Sequence, residues 1–160
     1  MVNDEFPLAY FITWTAYGSW LPGEDKGWCK RGSRVIEPPE QQLREAARQA
    51  MTEEPIVFTP AQRTLIESVI VKHCQICKWT LHACNVCTNH IHVVVSAALD
   101  GKEVRAQLKA WCSRRLSEQT GLVGKRENGQ GRWFSERGDI EWVDKEEHLE
   151  AAIRYVNEMQ

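Results

Sequence analysis

No run of apolar residues in this sequence is long enough to cross a bilayer, and its net charge is small. A transmembrane helix needs about 20 consecutive, mostly apolar residues, and the 160-residue chain contains no such run. The first ten residues, MVNDEFPLAY, lack the basic and apolar regions of a secretory signal. A formal charge of -2 excludes a molecule that is basic over its whole surface. We therefore expect a cytoplasmic protein without a membrane partner.

Internal repeats and low-complexity segments are also missing, which argues against a repeat protein or a disordered tail. Hydrophobic residues make up 42% of the chain and charged residues 26%, the balance of an ordinary globular protein. This length fits a single domain over residues 1–160. Within it, the polar stretch Pro39–Met51 is expected to form a helical insertion on the surface.

The order of the apolar patterns predicts a β-α-β-β-α-β-α chain. Leu8–Ala16, Trp79–Cys87 and His90–Ser96 have the aromatic and β-branched composition of strands. A Thr-x-x-Gln capping box at Thr59, followed by Pro60, predicts the start of the first helix. The remaining elements are a helix from Asp100, strand structure within Gly129–Val143 and a final helix capped at Asp144. This order predicts an α+β sandwich of ferredoxin-like type, an antiparallel sheet with helices on one face and a tyrosine-bearing C-terminal helix.

Positive charge is concentrated in one part of the chain, which allows a local phosphate-binding surface on a nearly neutral protein. Between Lys102 and Arg137 there are nine Lys and Arg residues against four Glu. Helical periodicity after Asp100 places Val104, Leu108, Trp111 and Cys112 inward and the basic residues outside. The candidate phosphate contacts are Arg105, Lys109, Arg114, Arg115 and Arg132.

The sharpest chemical signal is a pair of histidines, His90 and His92, in one predicted strand. Side chains at positions i and i+2 of a strand emerge on the same face, so the two imidazoles point together. Two adjacent imidazoles are a natural beginning of a divalent-metal site. Alone, the pair also fits two histidines that merely decorate a solvated face.

Tyr155 lies at the edge of the inward stripe of the last helix. The stripe consists of Leu149, Ala152, Ile153 and Val156. For an arbitrary helical tyrosine, the simplest interpretation is a half-buried ring that closes the core.

Several segments resemble, in the same order, those of the HUH single-tyrosine transposases, including the REP-associated tyrosine transposases. Leu81–Val95 (LHACNVCTNHIHVVV) resembles the histidine signature of that family. The other segments are Phe11–Trp14 with Tyr17–Gly23 for the first strand and loop, Lys109–Leu116, Arg132–Phe134, and Leu149–Val156 for the tyrosine helix. The similarity covers most of the chain except Pro39–Met51.

This resemblance implies a homodimeric enzyme that cuts and rejoins single-stranded or hairpin DNA during transposition. It implies that His90 and His92, with a third side chain, bind Mg²⁺ or Mn²⁺, and that Tyr155 is the nucleophile. The expected intermediate is a 5′-phosphotyrosine with a free 3′-hydroxyl. The tyrosine helix serves the histidines of its own subunit or those of the partner in different members, so this point stays open.

The third metal ligand is left open by the sequence. The family commonly has Gln four residues after the tyrosine, but here that position is Met159, and Gln160 comes one later. On a regular helix, position +4 lies about 40° from the tyrosine and position +5 about 140°. Glu158, at +3, is on the correct side, and a carboxylate suits Mg²⁺ or Mn²⁺ better than a thioether does. Glu158 and Gln160 are therefore both candidates, with His148 as a weaker alternative.

Two cysteine doublets, Cys74-x-x-Cys77 and Cys84-x-x-Cys87, raise a rival hypothesis of a zinc-stabilised structural protein. Against it, Cys84 and Cys87 are three apart in a predicted strand and should face opposite sides. We expect thiols that bind no metal. A third hypothesis is a DNA-binding module of the same fold that has lost cleavage, because Met159 departs from the family pattern.

Overall fold

The structure, a computed structural model, describes residues 5–18, 56–120 and 133–158, the side chain of Arg137 excepted, and the backbone of 28–29 and 36–37. In chain order the elements are β1 (Ala9–Ala16), β2 (Trp28–Cys29), β3 (Ile36–Glu37), α1 (Pro60–Cys77), β4 (Thr80–Val86), β5 (His90–Ser96), α2 (Gly101–Thr120), β6 (Phe134–Val143) and α3 (Glu146–Glu158). The predicted order of strands and helices is confirmed, with the short β2–β3 pair as an addition. The predicted insertion at 39–51 lies outside the described residues.

The main sheet has four strands in the order β4-β5-β1-β6, and every neighbouring pair is antiparallel. The two central strands, β1 and β5, are therefore hydrogen-bonded to strands on both sides, whereas β4 and β6 are the edges of this sheet. This arrangement confirms the predicted α+β class and its antiparallel sheet.

Strand alternation divides the sheet into two faces. On one face Tyr10, Ile12 and Trp14 of β1 and Ile91 and Val93 of β5 are buried in the larger core. Residues of α1 and α2 complete that core, including Ile66, Ile70, Leu108 and Leu116. Each such side chain, when fully buried, stabilises the fold by about 1.5–3 kcal/mol. The helices α1 and α2 thus lie on one face, as predicted.

The opposite face of the sheet carries α3 and a smaller core. Val156 of α3 is fully buried against Ala9, Ala83, Val94 and Val143 of the four main strands. The predicted inward residues Leu149, Ala152 and Ile153 also pack against this cluster. Consequently α3 is the element that the fold places over the even-numbered side chains of β5.

One prediction about α2 is wrong. Val104, Leu108 and Cys112 are fully buried as expected, but Trp111 is 42% exposed. Leu116 continues the inward stripe instead, since 104, 108, 112 and 116 follow one side of the helix. Among the described residues, no helix is both long and apolar enough to span a membrane.

The beginning of α1 provides a test of the fold. Thr59 accepts a hydrogen bond from the Gln62 backbone N–H at 3.1 Å, and the Gln62 side chain accepts one from the Thr59 N–H at 2.9 Å. We predict that Thr59→Ala lowers the free energy of unfolding by about 1 kcal/mol, because the Gln62 N–H loses its acceptor. Urea denaturation measures the change. Thr64→Ala, an exposed change inside the same helix, should leave stability unchanged or slightly higher, and equal losses in both variants would contradict this role of Thr59.

Candidate active site

His90 and His92 occupy the α3 face of the central strand β5. Their ring centroids are 4.8 Å apart with an interplanar angle of 81°. His92 is buried, with 7% of its surface exposed, whereas His90 is only partly buried. The prediction that the two imidazoles point together is confirmed, because both belong to the even-numbered side of one strand.

Hydrogen bonds orient both imidazoles through their Nδ1 atoms. The Nδ1 of His90 lies 2.7 Å from Oδ1 of Asn89, and since an amide oxygen only accepts, His90 donates and its lone pair is on Nε2. The Nδ1 of His92 lies 2.9 Å from Oγ1 of Thr13, its partner across the β1–β5 pairing. Such second contacts at Nδ1 typically set the tautomer of a metal-binding histidine.

The Nε2 atom of His92 is buried and has no hydrogen-bond partner among the described residues. An unsatisfied buried nitrogen costs about 1–3 kcal/mol, so a partner at this position would stabilise the fold. In the tautomer in which Nδ1 donates its proton to Thr13, the lone pair of Nε2 faces that position. A divalent cation is a partner of the correct chemistry for it.

Burial holds the His92 imidazole in its neutral form. The pKa of His92 is lowered to about 4, first by burial and then by the neighbouring His90. A metal-ligating histidine must be neutral. His92 therefore does not need to lose a proton at neutral pH before it can coordinate.

Tyr155 reaches this pair from α3 of the same chain. Its ring centroid lies 6.1 Å from that of His92 and 5.8 Å from that of Phe11. Tyr155 is 53% exposed, whereas the adjacent Val156 is fully buried. The ring is thus held at one edge by the sheet while more than half of its surface is open to solvent. The structure brings together the three side chains that the sequence singled out.

Asn85 fastens the end of α3 beside the histidines. It is paired with His92 in the β4–β5 register, and its Nδ2 donates to the backbone carbonyl oxygen of Val156 at 2.9 Å. Asn85 and Thr13 are two positioning residues that sequence reasoning missed. The only available signal was a polar residue inside each apolar strand, at Asn85 in β4 and Thr13 in β1.

Neither Glu158 nor His148 completes a three-residue metal site in the described part of the chain. Glu158 is exposed at the last residue of α3, and within the described part of the chain no group of three His, Cys, Asp or Glu side chains is placed to hold a metal ion. His148 is exposed in the first turn of α3, two turns or about 10 Å from Tyr155 along the helix. Gln160 lies outside the described residues.

The predicted basic residues of α2 lie on the other side of the sheet from the histidines. We expected all of them to lie free on the outer surface of α2, but two of them do not. Arg105 donates to the backbone carbonyl of Gly138 and Lys109 to that of Ser135, both at 2.6 Å, so they close the edge of β6. Arg114 stacks 4.6 Å from the ring centroid of Trp111. Arg115 is paired with Glu118 at 3.4 Å, and Arg132 lies outside the described residues.

The four cysteines of the two doublets lie in different surroundings. Cys74 and Cys84 pack in the core under α1, where burial raises their pKa to about 11 and about 12. The Cys77 thiol lies 3.4 Å from Nε2 of His73, and Cys87 lies near Oδ1 of Asn85 at 3.9 Å. Cys84 and Cys87 thus have neighbours on opposite faces of the sheet, as the strand spacing predicted.

Comparison with known proteins adds a distant structural likeness. No protein-family model matches this sequence, and no curated protein matches it. Among solved structures it is similar to a Deinococcus radiodurans R1 chain described as a "putative transposase", with 11% sequence identity and a TM-score of 0.49. The match covers 98% of this chain and 94% of that chain. A likeness at this identity and score shows nothing about activity.

The hydroxyl of Thr13 provides a test of this site. If Thr13 orients a metal-binding His92, then Thr13→Val should weaken binding of Mn²⁺ by about 10–100-fold, the usual effect of losing such a contact. Isothermal titration calorimetry of the full chain measures this affinity.

The matched control is Thr15→Val. Thr15 is also partly buried on β1, but its Oγ1 is bonded to the Ser135 hydroxyl at 2.8 Å and not to an imidazole. It should bind Mn²⁺ as the unmodified protein does. Equal Mn²⁺ affinities for Thr13→Val and Thr15→Val would contradict the proposed role of Thr13 in orienting His92.

Proposed function

We propose that this protein is a metal-dependent transferase of single DNA strands, which cleaves through a 5′-phosphotyrosine and rejoins strands in DNA transposition. One observation carries the proposal: His90, His92 and Tyr155 share one face of the sheet, with the phenol ring 6.1 Å from the buried imidazole. Each alternative explanation accounts for only part of this. A core tyrosine would not be 53% exposed, and a surface histidine would not be buried with an unpartnered nitrogen.

Mg²⁺ or Mn²⁺ fits the donor chemistry of the two histidines. The buried Nε2 of His92 and the Nε2 of His90, whose Nδ1 is bonded to Asn89, would supply the two nitrogen ligands. Mg²⁺ usually keeps several waters and takes few protein ligands together with substrate phosphates. Two imidazoles are therefore sufficient to begin the site, and Glu158 or Gln160 remains the proposed third ligand. When bound, the ion would polarise an oxygen of the scissile phosphate.

Tyr155 performs the covalent step. Its phenol oxygen forms a bond to phosphorus as the bond between phosphorus and the 3′ oxygen breaks, and the phenol proton is balanced by the proton gained by the 3′-hydroxyl. The phosphodiester energy is kept in the phosphotyrosine, so a second 3′-hydroxyl can reverse the reaction without ATP. Phe11 limits the motion of the phenol ring on the side away from solvent. Such positioning is worth several orders of magnitude in rate.

The DNA strand approaches from the exposed side of Tyr155. A site of this kind accepts an unpaired strand more readily than a duplex, because the attacking oxygen must reach a phosphate in line. Arg114, Arg115 and Arg132 are proposed as contacts to more distant phosphates, including those of a hairpin. Arg105 and Lys109 have a second role, since they hold α2 to the edge of β6.

We predict a covalent protein–DNA adduct that depends on Tyr155. A 3′-labelled hairpin with a single-stranded flank, incubated with the protein and Mn²⁺, should give a labelled band at the mass of protein plus DNA fragment. Tyr155→Phe removes the nucleophilic oxygen and should lower the yield by at least about a thousandfold, to background.

The matched control is Tyr17→Phe. Tyr17 is a partly buried tyrosine one residue beyond the end of β1, and its loss should leave the adduct unchanged. An adduct of full yield from Tyr155→Phe would contradict the proposed nucleophile.

We propose that the site is assembled from one subunit, and the proximity of Tyr155 to His92 in a single chain supports this. A homodimer would then carry two complete sites. We predict that mixing Tyr155→Phe with His92→Ala protein gives no adduct, because neither subunit has both groups. Gel analysis of the mixture measures this, with unmodified protein diluted into His92→Ala protein as the positive control. Recovery of adduct in the mixture would instead require a tyrosine that serves its partner subunit.

A second candidate function is a DNA-binding module of the same fold that does not cleave. It is favoured by one observation, that Glu158 does not join the histidines in a three-residue group. Tight binding of the hairpin without any adduct, in Mg²⁺ and in Mn²⁺, would select this candidate.

A further inference from the structure

A cavity of about 530 Å³ lies at the open edge of β4, between α1 and the last turn of α3. It is lined by Arg63, Thr64 and Glu67 of α1, Asn85 of β4, and Val156 and Asn157 of α3. Cavities of about 300–1,000 Å³ are the size that small ligands occupy. We infer that this cavity holds one nucleotide of the DNA strand, next to the nucleotide whose phosphate is cleaved; the inference rests on the proposed function.

The position of the cavity supports this assignment. Asn85 lines it and is also paired with His92 in the sheet register, so the backbone of Asn85 lies about one strand spacing of 4.8 Å from that of His92. Tyr155 contacts Phe11 and His92 on one side of the buried Val156, whereas Asn157 lines the cavity on the other side. A strand that crosses the end of α3 would pass from one site to the other, over a distance comparable to one nucleotide.

Arg63 is suited to hold the phosphate of that nucleotide. Its Nε donates to the backbone carbonyl of Val86 at 3.0 Å, which fixes the plane of the guanidinium in the wall of the cavity. The two terminal nitrogens then retain their planar, paired donor geometry, which matches phosphate oxygens. A fixed guanidinium also loses less side-chain entropy when it binds than a mobile surface arginine does.

The remaining polar residues of the cavity suit the edge of a base. Glu67 offers only acceptors, whereas Thr64 and Asn157 offer donors and acceptors. A carboxylate recognises a base through exocyclic amino groups, as Glu does with cytosine. It would repel a second phosphate, so the cavity is better suited to one complete nucleotide than to a run of phosphates. Bases that carry an amino group should therefore be preferred over thymine at this position.

The test measures DNA affinity without cleavage. All proteins carry Tyr155→Phe and are studied in EDTA, and fluorescence anisotropy follows binding of a labelled single-stranded oligonucleotide of mixed sequence. Thr64→Glu adds a negative charge inside the cavity while Arg63 keeps its bond to Val86, and it should weaken binding about tenfold or more. Ser68→Glu is the matched control, because it adds the same charge one turn later on α1, at an exposed residue that does not line the cavity.

Arg63→Gln is the second variant, and it should weaken binding and reduce the slope of log affinity against log salt by about 1, as for one lost phosphate contact. Thermal melting verifies that each variant is folded. Equal affinities for Thr64→Glu and Ser68→Glu, with an unchanged salt slope for Arg63→Gln, would overturn the inference. Failure of the proposed function is seen separately, as the absence of a covalent adduct with Mn²⁺ in proteins that retain Tyr155. Even then, the comparison of DNA affinities shows whether the cavity binds a nucleotide.

Discussion

The antiparallel pairing of β1 with β5 assigns every side chain of the two central strands to one of two faces. It places Thr13 opposite His92 and Thr15 opposite His90. A slip of one residue in β5 would turn both histidines into the core under α1 and α2 and expose Ile91 and Val93 instead. The burial of those apolar residues, fully in the larger core, opposes such a slip. Hydrophobic packing on one face thereby fixes the polar chemistry on the other.

The α3 face of the sheet is itself divided. Toward one end, Ala9, Phe11 and Val94 pack with α3 and form the smaller core. Toward the other end, Thr13, Thr15 and the two histidines provide polar atoms. Tyr155 lies at the boundary, with Phe11 on the apolar side and His92 on the polar side. A helix that stabilises the sheet with Val156 can therefore present an exposed phenol from the adjacent residue, and the same element serves both packing and the candidate chemistry.

Local patterns in the sequence predict much of this structure. The strand period predicts that His90 and His92 share a face, and the capping box at Thr59 predicts where α1 begins, because both depend on residues close together in the chain. The Thr13–His92 contact joins residues 79 positions apart, and nothing local determines that register. In the same way, helix periodicity predicted that Arg105 and Lys109 lie on the outer surface of α2. It could not show that their side chains donate hydrogen bonds to backbone carbonyls of β6. The prediction that Trp111 faces inward was wrong, because Leu116 and not Trp111 extends the buried stripe of α2.

The central claim is that the imidazoles of His90 and His92 bind one divalent cation beside Tyr155. Pulsed electron paramagnetic resonance of Mn²⁺ bound to the full chain tests it most directly, because nitrogen nuclei that coordinate the ion give resolved hyperfine couplings. We expect couplings from two imidazole nitrogens, of which one disappears in His90→Gln and one in His92→Gln. Mn²⁺ that shows no imidazole coupling, or a spectrum that neither substitution changes, would contradict the claim.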